Sequence, residues 1–193
     1  MTKKLTNPAL MIIDVQKGFD EEKWGERNHL QAENNIGQLL ALWRSKKLPV
    51  IHIQHLSQNP NSCFYPDHPG VAFKEIAAPI EGEKVIQKYV NSAFIGTNLQ
   101  EYMNKNKLEN VVIVGLTTPH CVSTTARMSG NLGFNTFLVS DATAAFGMTG
   151  PDNIYYSPDE VHYISLATLH REFATVLSTK EIVKLIPSFF RVR

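Results

Sequence analysis

The sequence has few cysteines, no marked excess of one charge and no long apolar run. Its two cysteines, Cys63 and Cys121, lie far apart among 193 residues and form no CxxC pair. This usage argues against a structural disulfide and favours a reducing cytoplasm. With a net charge of +1 and 19% charged residues, nothing indicates a nucleic-acid or membrane-surface partner. No apolar stretch reaches the roughly 20 residues of a transmembrane helix, and no signal peptide is evident.

The length and the apolar content suit one compact unit. With 43% hydrophobic residues, the chain is long enough to bury a sizeable core. We therefore expect residues 1–193 to form a single domain. No G-x-G-x-x-G follows the first apolar run and no P-loop occurs, so we expect no nucleotide cofactor.

Short apolar runs alternate with amphipathic segments along the chain. The runs rich in Val and Ile are typical of strands buried on both faces, and they span residues 9–13, 48–53, 84–87, 111–114, 136–139 and 173–177. Helical patterns occupy residues 30–47, 97–107, 121–132 and 157–171. This alternation predicts an α/β fold of three layers, α/β/α, with a mainly parallel sheet of six strands. The long connection at residues 57–80 is a candidate active-site loop.

Three residues with chemical potential follow predicted strands. Asp14 comes directly after the first strand, Lys88 directly after the third, and Cys121 follows the fourth by a short turn and opens a helix. Because the carboxyl ends of parallel strands share one edge of the sheet, we expect the three side chains to converge there.

A thiol, a cation and a carboxylate at one place suit nucleophilic catalysis. A helix N-terminus and a nearby cation lower a thiol pKa, so we expect an activated Cys121. Asp14 can accept the thiol proton and pass it to a departing amine. Taken singly, each residue also has an ordinary explanation: Asp14 as a turn residue, Lys88 as a solvated cation and Cys121 as part of the core. The hypothesis of a catalytic site therefore depends on all three residues lying together at one edge of the sheet.

Local sequences around these residues resemble the isochorismatase-like cysteine hydrolase superfamily, which includes nicotinamidases and N-carbamoylsarcosine amidohydrolases. The matching segments are Ala9-Leu-Met-Ile-Ile-Asp14-Val-Gln16, Lys88-Tyr-Val-Asn-Ser92-Ala-Phe94, Val112-Ile-Val-Gly115-Leu-Thr-Thr-Pro-His-Cys121-Val and Asp141-Ala. They occur in the family's order and spacing and cover most of the chain.

The resemblance implies a mechanism and an assembly. It implies a catalytic triad of Asp14, Lys88 and Cys121, a cis peptide bond before Thr117, and an oxyanion hole formed by the N–H groups of Thr117 and Cys121. The activity implied is cleavage of the C–N bond of a small amide or carbamoyl compound through a thioester on Cys121. It also implies a homo-oligomer, a dimer or a tetramer.

Departures from the family pattern narrow the range of activities that the resemblance implies. Nicotinamidases carry a D-x-H pattern after the second strand that binds a metal, whereas this chain has His52-Ile-Gln-His55 there. Residues three apart on a strand face opposite sides, so we expect no metal site at His52 and His55. Isochorismatases that cleave a vinyl ether usually lack the nucleophilic Cys, and Cys121 therefore favours amide chemistry over that alternative.

Further residues are candidates for the substrate pocket. From their places near the triad we predict substrate contacts for Gln16, Phe19, Phe94, Thr118 and His120. The aromatic candidates could equally be core residues, and His120 could be a structural or wall residue rather than a base.

Two functions of other classes stay open. Cys121 could be a redox sensor with Cys63 as its resolving partner, or the fold could be a binding protein without enzymatic activity. The apolar residues among 187–193 could pack on a neighbouring subunit or on their own domain.

Overall fold

The computed structural model describes residues 4–186 of the chain, so the contact proposed for residues 187–193 lies outside the described part. The strands within it are β1 (Ala9–Ile13), β2 (Val50–His55), β3 (Lys84–Lys88), β4 (Asn110–Leu116), β5 (Asn135–Ala144), β6 (Met148–Thr149), β7 (Tyr155–Tyr156) and β8 (Thr175–Leu177). The α-helices are α1 (Ala32–Ser45), α2 (Leu99–Lys105), α3 (Ser123–Asn131), α4 (Pro158–Leu169) and α5 (Thr179–Leu185).

Six of the strands form one sheet in the order β3-β2-β1-β4-β5-β8. Every pairing in this sheet is parallel, and β6 and β7 form a separate antiparallel pair. The six strands of the sheet are the six apolar runs identified in the sequence. The predicted α/β fold with a parallel six-stranded sheet is therefore confirmed.

Helices cover both faces of the sheet. Alternate residues of β1 point to opposite faces, with Leu10 and Ile12 packing against α1 and α5, and Met11 and Ile13 packing on the side of α2, α3 and α4. All five residues of β1 are buried, as expected for a central parallel strand between two layers of helices. Among the described residues, the three layers bury two large apolar cores, one on each side of the sheet, and a smaller apolar cluster contains Leu116 and Ala144.

Gly115 brings the end of β4 against the end of β1. Its φ is +125°, and a Cβ there would lie 2.1 Å from the carbonyl oxygen of Ile13, so only glycine fits. The chain that follows β4 therefore begins beside Asp14.

Two helix ends carry residues that suit these positions. Ser157 and Glu160 form a reciprocal capping box at the start of α4, with Pro158 in its first turn, and Gly133 has a φ of +86° after the end of α3. The helix predicted from Cys121 differs, because a π-helical turn at Thr118–Val122 precedes α3. Among residues 4–186, no helix has the length and apolarity needed to cross a bilayer.

Candidate active site

The three side chains predicted to converge do so at the carboxyl edge of the sheet. Lys88 Nζ lies 2.7 Å from Asp14 Oδ2 and 3.3 Å from Cys121 Sγ. Asp14 is 1% exposed, Lys88 is fully buried and Cys121 is 9% exposed. A buried cation is tolerated only with a partner, and the Asp14 carboxylate supplies that partner.

The backbone fixes Asp14 immediately after β1. Its N–H donates to the carbonyl of Ile53 at 3.0 Å, and its own carbonyl accepts from the N–H of Gln16 at 2.8 Å. The residue has a φ of +51°, a conformation that Asp adopts more readily than most residues. One carboxylate oxygen, Oδ1, is buried and has no hydrogen-bond partner among residues 4–186, so it is the oxygen still able to accept a proton.

The thiol of Cys121 is not activated in the way the sequence suggested. Burial raises its pKa to about 12, and the negative charge of Asp14 acts in the same direction, while Lys88 opposes both. The expected lowering of the pKa is therefore wrong for the free site. Lys88 is close enough to stabilise a thiolate, but its charge is already shared with Asp14. The resting thiol is neutral and donates to Asn91 Oδ1 at 3.7 Å.

The turn that carries Cys121 contains the two residues predicted to form the oxyanion hole. The peptide bond between Leu116 and Thr117 is cis. The hydrogen bond from Val122 N–H to the carbonyl of Thr117, 3.3 Å long, spans five residues. Cys121 comes directly before Val122 in the chain, so its N–H belongs to the first turn of the helical segment. Backbone N–H groups in a first turn point out of the start of the helix. Thr117 and Cys121 both line the cavity described below.

The same side chains include a possible set of metal ligands. Within residues 4–186, the ligand atoms of Asp14, His55 and Cys121 lie within 4.8 Å of one another. The Lys88 ammonium, however, contacts all three, with His55 Nδ1 at 3.1 Å. A metal ion among these ligands would meet that positive charge at close range, so the residues do not fit one. His52 belongs to a different environment, where its Nε2 lies 2.8 Å from Glu83.

A cavity of about 630 Å³ opens over the triad, within the size range of small-molecule sites. One side of it is aromatic, and Phe19 contacts three other rings at centroid distances of 4.8 Å to Phe64, 5.4 Å to Trp24 and 6.1 Å to Phe146. The polar residues in its wall are Asp14, Lys23, His55, Asn91, Thr117 and His120.

Two of the five predicted pocket residues, Phe19 and His120, lie in this wall. The other three lie elsewhere. Gln16 is fully buried and is engaged with backbone groups of His55 and Val71. Phe94 belongs to the core and stacks on Phe134 with centroids 5.9 Å apart.

Thr118 is also fully buried, and its hydroxyl lies 2.8 Å from Nδ1 of His162. At all three positions the side chain is buried outside the cavity wall, so the cavity does not support a substrate contact there.

The sequence analysis missed other wall residues. Phe146, Gly147 and Met148 line the cavity because β5 continues to Ala144, whereas the apolar run ended at Val139. A register shift between Ile113 and Gly115 in the pairing of β4 with β5 accommodates the longer strand. The small residues that follow Ser140 gave no strand signal of their own.

Comparisons with known proteins identify related sequences. A family model described as the isochorismatase domain matches residues 8–181. The isochorismatase family protein YrdC of Bacillus subtilis (strain 168) is 59% identical over 175 residues, which cover 91% of this chain and 94% of YrdC. Nicotinamidase 3 of Arabidopsis thaliana is 27% identical over 192 residues, covering 90% of this chain and 86% of that protein.

A solved structure supports the same relationship. The isochorismatase-family protein of Chromobacterium violaceum ATCC 12472 superposes with a TM-score of 0.92 at 42% identity, covering 95% of both chains. These matches confirm the resemblance identified from the sequence motifs. The chain therefore belongs to the isochorismatase family of hydrolases.

Proposed function

We propose that the protein is a cysteine hydrolase that cleaves the C–N bond of a small amide or carbamoyl compound through a thioester on Cys121. The observation that carries the proposal is the placing of Lys88 Nζ between Asp14 Oδ2, at 2.7 Å, and Cys121 Sγ, at 3.3 Å, beneath a cavity. A thiol, a base and a cation in contact are the parts that nucleophilic amide cleavage needs.

In the first half of the reaction, the Cys121 thiol gives its proton to Asp14 Oδ1 as sulfur attacks the amide carbonyl. The proton transfer by itself leaves the net charge of Asp14, Lys88 and Cys121 unchanged, and the negative charge passes from sulfur to the carbonyl oxygen as the C–S bond forms. Lys88 stabilises the sulfur as it becomes negative. The N–H groups of Thr117 and Cys121 bind the oxyanion, each contributing about 3–4 kcal/mol to transition-state stabilisation.

Collapse of the tetrahedral intermediate breaks the C–N bond, and protonated Asp14 donates its proton to the departing amine. In the second half, water attacks the thioester while Asp14 accepts a proton from the water. Asp14 then returns this proton to sulfur as the C–S bond breaks, so Cys121 leaves as the thiol. The sum is amide plus water giving a carboxylic acid and an amine. A carbamoyl substrate follows the same sequence with a thiocarbamate in place of the thioester.

The cavity favours a flat or apolar acyl group. Phe19, Trp24, Phe64 and Phe146 offer ring faces and edges to such a group, and offset contacts between aromatic groups stabilise a complex beyond the burial of area. The similarity to Nicotinamidase 3, whose name denotes an aromatic amide substrate, supports this choice. The chain nevertheless lacks the D-x-H pattern expected of nicotinamidases.

The alternatives have weaker support. A thiol with a pKa near 12 is a poor target for peroxide, which weighs against a redox sensor. Failure of peroxide to link Cys63 to Cys121 would remove that idea. The vinyl ether reaction and a purely binding function give no role to the contacts that join Asp14, Lys88 and Cys121.

The proposal is tested by a screen of small amides for ammonia release, with benzamide-like compounds beside acetamide-like ones. We expect activity in the wild type and in Cys63→Ser, and none in Cys121→Ser, with preference for the aromatic acyl group. Activity that persists in Cys121→Ser would contradict the proposal.

We also propose a cytoplasmic location and a homo-oligomer of two or four subunits. Both cysteines are free, which suits a reducing compartment. Large apolar side chains are exposed at Leu30 (74%), Tyr163 (57%) and Ile164 (67%), and such residues are common at subunit contacts. Light scattering of the purified protein gives the subunit number; a monomer at micromolar concentration would contradict the second proposal.

A further inference from the structure

Lys88 makes three short contacts, and only two of them involve the predicted triad. A lysine ammonium has three N–H donors. Asp14 Oδ2 and Cys121 Sγ account for two, and Nδ1 of His55, at 3.1 Å, accounts for the third. Without His55, the fully buried ammonium would keep one donor with no acceptor in the described part of the chain, which is costly in a protein interior.

The position of His55 is itself fixed by two neighbours. The side chain of Gln16 donates to the carbonyl of His55 at 3.0 Å and accepts from its N–H at 2.8 Å. The ring meets the edge of Phe64 at 89°, with centroids 5.9 Å apart. His55 also pairs with Lys88 across β2 and β3. The ring is therefore held in place before any ligand enters the cavity.

We infer that His55 is a positioning residue of the hydrolytic site, because its Nδ1 accepts a hydrogen bond from the third N–H of Lys88 and so holds the ammonium against both Asp14 and Cys121. The effect on turnover rests on the proposed function, whereas the effect on Lys88 and the thiol does not. Gln16 supports the site indirectly by clamping the backbone of His55.

The contact also determines the form of the ring. A nitrogen that accepts a hydrogen bond carries no proton, so neutral His55 has its proton on Nε2. The titratable groups that face it are Lys88, Asp14 and Cys121. Burial lowers the pKa of His55, Lys88 lowers it further and Asp14 opposes them. Protonation in acid would remove the acceptor and bring two cations together.

A test that needs no amide substrate compares alkylation of Cys121 by iodoacetamide in the wild type, His55→Leu and His55→Asn. The amide oxygen of Asn can replace Nδ1 as an acceptor, whereas Leu cannot. We expect His55→Leu to slow alkylation about tenfold, equivalent to one pKa unit of lost thiolate stabilisation, and His55→Asn to stay near the wild-type rate. A wild-type rate in His55→Leu, or equal slowing in both variants, would overturn the inference.

A second measurement uses the unaltered protein, so it holds even if a variant does not fold. Long-range proton–nitrogen correlation spectra report which imidazole nitrogen carries the proton. We expect the Nε2–H form of His55 near neutral pH, and the Nδ1–H form would overturn the inference. Ammonia release is measured separately. If alkylation slows in His55→Leu only and His55 carries its proton on Nε2, but no amide is hydrolysed, the result contradicts the proposed function and leaves the inference about His55 intact.

Discussion

Replacement of Asp14 by Asn is predicted to make Cys121 more reactive toward alkylation while strongly reducing the rate of amide hydrolysis. Asp14 raises the pKa of the thiol in the resting site, and Lys88 lowers it. Once the carboxylate is gone, Lys88 needs another anion, and the Cys121 thiolate lies 3.3 Å away. Hydrolysis should fall by a factor of about 10²–10⁴, the usual contribution of a general base.

The resting thiol gives the scale of the effect. A rise of the Cys121 pKa from 9.0 to about 12 corresponds to about 4 kcal/mol of preference for the neutral form. At about pH 8, roughly one thiol in 10⁴ is then ionised, against about one in ten for an ordinary thiol with a pKa near 9. Cys121 of the wild type should thus be alkylated about 10³-fold more slowly than an ordinary thiol. Each unit by which Asp14→Asn lowers the pKa of Cys121 should raise the alkylation rate about tenfold.

The assay is the rate of iodoacetamide labelling of the Cys121 peptide across a range of pH, with ultraviolet absorbance of the thiolate as an independent titration. Asp67→Asn, a change at an exposed carboxylate, is the matched control, and circular dichroism checks the fold. A folded Asp14→Asn protein that alkylates at or below the wild-type rate would refute the electrostatic reasoning. One that keeps full amidase activity would remove Asp14 as the base.

Three further predictions concern stability. Lys88→Met should lower the free energy of unfolding, measured by denaturant titration, by about 3–5 kcal/mol because Asp14 stays buried without its cation. Adding Asp14→Asn to this variant should restore much of the lost stability. A double variant no more stable than Lys88→Met would contradict the pairing of Asp14 with Lys88. Burial disfavours ionised Glu33, but hydrogen bonds from basic side chains outweigh it and lower its pKa to about 2. The contribution of ionised Glu33 to the free energy of unfolding, at most about 3 kcal/mol, is therefore present above about pH 4.5 and lost toward pH 2. Glu33→Gln should make the free energy of unfolding less dependent on pH in that window, and Glu75→Gln, at an exposed carboxylate, should not. Burial lowers the pKa of His162 to about 4, so the unfolded chain binds the extra proton and stability should fall from about pH 6.5 to 4. Thermal unfolding should lose this slope in His162→Gln, and an unchanged slope would exclude His162 as its source.

The sequence was most informative where the chain is buried on both faces. The runs at β1 and β4 consist of apolar residues without polar interruption, so they predicted both the strands and the edge of the sheet at which Asp14 and Cys121 meet. Lys88 followed from the same topology, because a residue at the end of a neighbouring parallel strand must reach the same edge.

Side-chain direction near the ends of strands was harder to predict. Gln16 and Phe94 are close to the triad along the chain, yet their side chains turn inward to backbone groups and to Phe134. The role of His55 depends on a contact with Lys88 on a different strand, which no local pattern reveals. The pKa of Cys121 depends on how completely the thiol is buried, and this too required the packed structure.

The most direct test of the proposed mechanism is acid-quench peptide mass spectrometry during turnover of an amide identified by the ammonia screen. We predict that the acyl group of that amide appears on the Cys121 peptide and not on the Cys63 peptide, that hydroxylamine removes it, and that Cys121→Ser forms neither the adduct nor the product. Sustained turnover in Cys121→Ser, without any covalent adduct, would contradict the nucleophilic role of Cys121.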